Sequence, residues 1–456
     1  MNEERAMTEE DAKRIAKEAY IFAYPMLEHY KTMYDQVVDT QSPNFIGPLN
    51  RFNHARKLLT PDFTAVVTPN NDTLYSIAWL DLQAEPLVLR VPEVPDGRYY
   101  SFQFVDAFTF NWAYVGSRAT GSEGGTYLIA GPGWEGEAPD GVDGVLRAHS
   151  RFVLVLGRTA VSGEPDLPNV HALQDQYRLV TLSEFTGAAA PLPAPIPDFP
   201  VWDSEDAASA GFVDYMNFLL PTVELYPEMR PLIEKSAAIG IGANLDFGRT
   251  ELEPDMQKAV EAGVAAAQEK IGAKVETFSV PVNGWSLSTE GFGDHEAMIG
   301  KDLLRAVAAM FGIYGNTLEE AYYQIVFTDD HEAELDGSKH DYIIDFTRET
   351  LPPVNAFWSI SMYRLPDRLF VVNELERYSI GDRTPDLSYE ENGSLKLYIC
   401  SQSPGAEKET NWLPAPDGPF YLASRLYLPR PEAIGASPYA PPEIRAVDIG
   451  ALKRAA

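Results

Sequence analysis

The chain has 456 residues, with 36 Lys and Arg against 67 Asp and Glu, a formal net charge of −31 and one cysteine. At 45% hydrophobic and 11% aromatic residues it can bury a sizeable core, which excludes disorder, collagen and coiled coil, and its length suggests two or three domains of roughly 100 to 200 residues. The excess of carboxylates repels nucleic-acid phosphates and anionic lipid, so no nucleic acid and no membrane is an expected partner, and Cys400 alone forms neither an internal disulfide nor a thiolate cluster.

The opening MNEERAMTEEDAKR is charged where a secretory signal needs an apolar core, and no apolar run of roughly 18 residues occurs. The expected compartment is the cytoplasm; a periplasmic or secreted protein would need a signal peptide ahead of this sequence. A homo-oligomer is compatible with the composition.

In chain order, residues 1–36 form the first segment. Thr8 and Asp11 start a helix in the manner of a capping box, and Ala12, Ile15, Ala19, Phe22, Met26, Tyr30 and Met33 repeat at helical spacing. Pro25 should kink or divide that helix. Residues 37–185 carry short β-rich runs, namely Thr73 to Leu82, Leu87 to Val91, Tyr99 to Val105, Asn111 to Gly116, Thr126 to Ala130 and Phe152 to Leu156, followed by a helix from about Leu167 to Tyr177. That spacing predicts an antiparallel sandwich. Residues 186–204 read as a semi-rigid proline-rich linker. Residues 205–318 read as a helical domain, with helices over Ala207 to Leu220, Glu224 to Ile239, Glu253 to Ile271 and Asp294 to Phe311. Strand signals then return from Tyr322, through Tyr342 to Phe346, Asn355 to Tyr363, Leu369 to Val372, Leu395 to Ser401 and Phe420 to Leu428, so residues 319–456 are expected to be a second sandwich that a jelly roll fits. The fold class is thus mainly β with a helical insert.

GPGWEG at 131–136 matches a dinucleotide fingerprint only literally, because Pro132 sits in a turn and no helix can open after it. No P-loop, HExxH, nucleophile elbow or HxD pair is present. The expected cofactor set is none, with neither a metal nor an organic redox cofactor.

Four dense segments carry the candidate site. In VVTPNNDTLYSIAWLDL at 66–82, Asn70, Asn71 and Asp72 lead into a strand bearing Tyr75, and can bind a polar ligand or bond their own turn. In RYYSFQFVDAFTFNWAYVGSR at 98–118, Asp106 interrupts an aromatic run with Trp112 nearby, an environment that raises a carboxyl pKa toward general acid/base duty. The segments 351–387 and 401–429 bring Asn355, Trp358, Tyr378, Arg383, Lys408, Asn411 and Trp412, aromatic planes among paired charges that suit a small polar ligand. Core packing of Trp358 and structural ion pairs for Arg383 and Lys408 are the plainer alternative. RYSIGDR and EKETNW are expected to meet in space, with Arg383 either clamped by a protein acid such as Glu407 or Glu409 or pointing unpaired into a cleft beside Trp412 as an anchor for an anionic substrate.

The strings VVTPNNDTLYSIAWLDL, GRYYSFQFVDAF, YLIAGPGWEG, VHALQDQYRL, LPPVNAFWSISMY, RYSIGDRTPDL and SPGAEKETNWLPAP resemble the proteins that join domain of unknown function 1254 to domain of unknown function 1214. The resemblance spans about residues 40 to 180 and 320 to 432. It implies an immunoglobulin-like β domain, a central helical domain and a C-terminal jelly-roll-like domain, and supplies no established reaction.

The leading expectation is an enzyme, hydrolase or lyase in type, that acts on a small polar organic molecule with Asp106 and Asp72 as acid/base carboxylates in a cleft between the β domains. A non-catalytic small-molecule or carbohydrate-binding protein is the alternative from another class. A metal-assisted enzyme using Asp72, Asp106 and scattered His is the third.

Overall fold

A computed structural model describes residues 7–64, 67–242 and 248–454. Residues 1–6 of the expected N-terminal segment, Val66 at the head of the PNND segment and 455–456 lie outside the described residues.

The helix Glu9–Met33 begins as its sequence predicts: Thr8 Oγ1 accepts the Asp11 amide at 3.1 Å while the Asp11 carboxylate takes the Thr8 amide at 3.4 Å. Pro25 lies inside it, buried, and does not divide it. The helix packs along its length on Phe212–Leu219, Arg230–Ser236, Pro254–Val275 and Asp302–Gly312, and this tertiary contact outweighs the single backbone bond that proline removes. Its crossing with Pro254–Val275 is tight. A Cβ at Gly263 would lie 2.5 Å from the Lys13 carbonyl oxygen, so only glycine permits that approach.

Among the described residues the β structure consists of four sheets, none closed. The first runs, in spatial order, Asn53–His54, Thr73–Asp81, Phe152–Ala160, Tyr100–Val105, Asn111–Gly116; the second runs Gly144–Arg147, Gly125–Ala130, Leu87–Val91, Arg178–Thr181. Leu80, Leu89, Phe102, Phe104, Ile129 and Val155 fill one core between these two. The third runs Val280–Val282, Trp285–Leu287, Ala321–Val326, Phe420–Pro429, Val354–Arg364, Ser379–Gly381; the fourth runs Trp412–Pro414, Leu395–Cys400, Asp341–Phe346, Arg445–Val447. Tyr342, Ile344, Trp358, Leu397 and Leu422 fill the core between those.

The outer face of the first sheet serves two neighbours. Trp79, Leu154 and Leu156 pack against the N-terminal helix and the helical segment. Tyr99 and Ala160 instead join Phe357 and Tyr427 of the third sheet. The molecule is therefore mainly β with helices wedged against one end of its first sheet.

Several expected elements are shorter or different. The run expected as a helix over 207–220 is split into Ser204–Ala207 and Phe212–Leu219, and that over 224–239 shrinks to Arg230–Ser236. The strands Val280–Val282 and Trp285–Leu287 fall inside the segment expected to be helical, and the second pairs with Ala321–Val326. Leu369–Val372 is not a strand, although Phe370 is fully buried. Residues 188–203 have no regular structure, as their prolines predict. Among the described residues no helix is long and apolar enough to cross a membrane.

Candidate functional site

Where the first and third sheets meet, the packing turns polar. Register places Tyr75, Arg158 and Ser101 side by side across the first sheet, and Tyr323, Arg425 and Ser359 side by side across the third. Arg158, Ser101, Ser359 and Arg425 are all buried. Each guanidinium finds neutral acceptors. Arg158 donates to Gln103 Oε1 at 2.6 Å, Asn316 Oδ1 at 3.3 Å and the Tyr314 carbonyl at 3.3 Å. Arg425 donates to Ser361 Oγ and Tyr363 OH, both at 2.8 Å, and to the Thr68 carbonyl at 3.4 Å.

Asp72 sits at the mouth of the strand Thr73–Asp81 and is 3% exposed. The preceding amides hold it in place. Asn70 Oδ1 accepts the Asp72 amide at 2.7 Å and its Nδ2 reaches Thr73 Oγ1 and Tyr75 OH, while Asn71 exchanges two 2.7 Å bonds with the Leu59 backbone. The carboxylate then crosses to the other body: Oδ2 accepts Ser359 Oγ at 2.6 Å and Tyr427 OH at 3.1 Å. No cationic nitrogen of the described residues lies within 4.0 Å of it. Burial, with the Asp72 charge next in importance, pushes the Tyr427 hydroxyl well above its ordinary pKa, so that group acts as a donor.

Arg383 reaches the same place from the strand Ser379–Gly381. A Cβ at Gly381 would lie 2.0 Å from the Trp358 carbonyl oxygen, so glycine is what lets this strand close on Val354–Arg364. The Arg383 guanidinium lies 3.4 Å over the Phe357 ring and donates to the carbonyls of Val161 and Asp72, each at 3.2 Å. Its buried Nε has no acceptor. Burial lowers its pKa, and the nearby Asp72 charge works against that.

Arg383 and Phe357 form one wall of a cleft of about 400 Å³ whose other wall includes Arg98, Tyr99, Asp166 and Asn169. Arg98 is already neutralised there. It forks onto Asp166 at 2.5 and 2.8 Å and, against the effect of burial, holds that carboxyl down at about 2. A larger groove of about 600 Å³ lies beside the proline-rich segment, lined by Leu82, Pro132, Arg151, Pro197 and Phe218 among others. Its arginine is forked onto Asp81 at 2.8 and 2.7 Å, so it offers less chemistry than the smaller cleft. Among the described residues no group of three or more His, Cys, Asp and Glu is arranged to hold a metal ion.

The family described as Protein of unknown function (DUF1254) matches residues 49–181, and that described as Protein of unknown function (DUF1214) matches residues 320–431. The chain joins a DUF1254 region to a DUF1214 region and belongs with the proteins built that way. No curated protein matches the sequence. Among solved structures it is similar to the VPA0106 protein from Vibrio parahaemolyticus, at 28% identity and a TM-score of 0.79 over 96% of this chain and 100% of that one. An uncharacterized protein from Burkholderia cenocepacia covers 97% of this chain and is itself covered to 96%, at 12% identity and a TM-score of 0.45.

Asp72 lies in the DUF1254 region, whereas Ser359, Tyr427 and Arg383 lie in the DUF1214 region, so the site is composed only where the two meet. Of the residues singled out in the sequence, Asn70, Asn71, Asp72, Tyr75 and Arg383 are together here. The rest are elsewhere. Asp106 is 0% exposed in the turn after Tyr100–Val105, where Oδ1 caps the amides of Phe108 and Phe110 at 2.9 Å each and Oδ2 has no partner. Burial raises it to about 7, with the two amides and Arg305 opposing. Its pKa suits acid/base work, but it lines neither cleft and shares no hydrogen-bond partner with Asp72. Trp112 packs on Phe104 in the first core.

Trp358 points away from the cleft into the second core, because alternation along Val354–Arg364 sends 357, 359, 361 and 363 to one face and 358, 360 and 362 to the other. Asn355 is exposed and Tyr378 stacks on Phe370. Asn411 binds the backbone of Ser388 and Lys396, Trp412 Nε1 donates to the Cys400 carbonyl at 2.9 Å, and Lys408 donates to the Leu452 carbonyl at 2.6 Å. RYSIGDR and EKETNW do meet, but through Arg377, which donates to the carbonyls of Glu409 and Trp412. Arg383 takes no carboxylate partner and is not beside Trp412.

Ser359, Arg425, Tyr427, Tyr99, Arg98 and Arg158 escaped the sequence reading. The signal available was parity: Arg425 and Tyr427 share one face of an otherwise apolar strand, FYLASRLYLP, and a buried strand face seldom carries arginine without a task.

Proposed function

We propose that the protein binds a small polar organic molecule in the cleft between its DUF1254 and DUF1214 regions and acts on it by general acid/base chemistry, with Asp72 as the carboxylate that moves the proton. The observation that carries this reading is the Asp72 carboxylate itself, bridged by two hydroxyls from the opposite body at 2.6 and 3.1 Å and close to a cleft-lining arginine. Two hydroxyl donors fix the orientation of that carboxylate, and a positioned carboxylate is a group that general acid/base catalysis uses. Face-to-face packing of sheets in each β region supports the same picture of an immunoglobulin-like and a jelly-roll-like unit with the site at their junction.

The shielding of Asp72, which is not itself on the cleft wall, favours a second reading in which the cleft only binds. Incubating the purified protein with a metabolite mixture and following depletion by mass spectrometry separates the two. A compound consumed by the wild type, and at least a hundredfold more slowly by a folded Asp72→Asn variant, is the expected result. A compound retained but unchanged makes the protein a binder, and equal turnover by both proteins removes Asp72 from the chemistry.

A further inference from the structure

We infer that the molecule taken by this cleft carries a carboxylate, seated on Arg383 against Phe357; this rests on the cleft being the ligand site. Arg158, Arg383 and Arg425 are gathered at one junction, and none has a carboxylate oxygen within 4.0 Å among the described residues. The acids whose charge acts on Arg383 are Asp72 and Asp382, and neither has a carboxylate oxygen within 4.0 Å of it, while Glu320 accepts Arg118 Nε at 2.7 Å and Tyr99 OH at 2.8 Å. A chain of charge −31 thus keeps three arginines where its two β regions touch, none of them in an ion pair among the described residues.

Of the three guanidiniums, Arg383 is the one on the cleft wall. Arg158 and Arg425 each spend their donors on three neutral acceptors, whereas Arg383 has five N–H groups and two carbonyl partners. Its face is covered by the Phe357 ring, so what it can still offer is an edge, and a planar carboxylate is the group whose shape matches that edge. Arg98, across the cleft, shows the closed version of the same pair, forked onto Asp166. Asp96 also lines the cleft and disfavours a polyanion there, which limits the ligand to a small acid.

Calorimetric titration at low ionic strength with succinate, benzoate, inorganic phosphate and neutral benzamide tests the inference. The expected result is that succinate or benzoate binds the wild type, binds Arg383→Gln at least tenfold more weakly, and binds Arg383→Lys with intermediate affinity. Benzamide binding as tightly as benzoate, or benzoate affinity unchanged in folded Arg383→Gln and Arg383→Lys, overturns the carboxylate anchor while leaving the cleft as the ligand site. Phosphate binding in preference to both carboxylates overturns the assigned class. Turnover that depends on Asp72 with no carboxylate bound by any form refutes this inference and spares the acid/base reading.

Discussion

Two aspartates lie deep in this protein with an arginine nearby, and they end in opposite conditions. Asp72 bridges two bodies and is held by the hydroxyls of Ser359 and Tyr427, with Arg383 touching its backbone beside an open cleft. Asp106 is enclosed within a single turn, its free oxygen unmatched, while the neighbouring Arg305 turns to the Phe108 carbonyl at 2.5 Å and Asp302 at 3.1 Å and leaves its own Nε without an acceptor. At Asp106 burial raises the carboxyl pKa against the pull of two turn amides and Arg305. A displaced pKa therefore marks a functional aspartate only where a ligand can also reach it.

The contrast can be broken first at Arg305. Arg305→Met removes the cation nearest Asp106 and the donor to Phe108, and should lower stability by about 4 kcal/mol in urea unfolding at pH 8, the scale of a buried charge left alone. The loss should shrink at pH 5, where Asp106 holds its proton.

Asp106→Asn comes next. A folded-state value of about 7 against an ordinary 3.8 means that the stability this carboxyl contributes is complete below about 4 and is lost as pH rises through about 7. The variant keeps an oxygen for the turn amides and lacks that titration, so it should exceed the wild type by about 4 kcal/mol at pH 8 and differ little at pH 4. A wild-type and variant pair with parallel pH profiles would show that Asp106 is not displaced.

The smallest effect belongs to the other aspartate. Tyr427→Phe deletes one of two hydroxyls on Asp72 and should destabilise by about 1 kcal/mol in urea unfolding, because Ser359 still holds the carboxylate. A loss of about 3 kcal/mol or more in that variant would show that Ser359 does not hold the carboxylate by itself.

What the sequence disclosed was local. The capping box at Thr8, the strand starts at Thr73, Leu87, Asn111 and Phe152, and the aromatic setting of Asp106 follow from neighbours a few residues away. Asp72 stood out for the same reason, as the last polar residue before an apolar strand. Ser359 and Tyr427 did not, since their partner lies 287 and 355 residues away and nothing in a strand's pattern says which sheet its polar face will meet. For Trp358 the plainer alternative, core packing, follows from the alternation of its strand, which sends it to the face opposite Ser359. Pro25 shows the reverse limit, a local rule overridden by helices that pack around it.

The placement of the helix Glu9–Met33 also bears on how the protein is made. Its apolar side is covered by Phe212–Leu219, Pro254–Val275 and Asp302–Gly312, which leave the ribosome roughly 10 to 60 seconds later at ordinary rates of translation. During that interval the nascent chain displays a stripe including Ile15, Ala19, Phe22, Met26 and Tyr30 with its final partners not yet synthesised. Slow stretches of message between residues 40 and 210 would prolong that exposure, and synthesis in a chaperone-depleted extract should convert more of this protein to aggregate than refolding of the finished chain does.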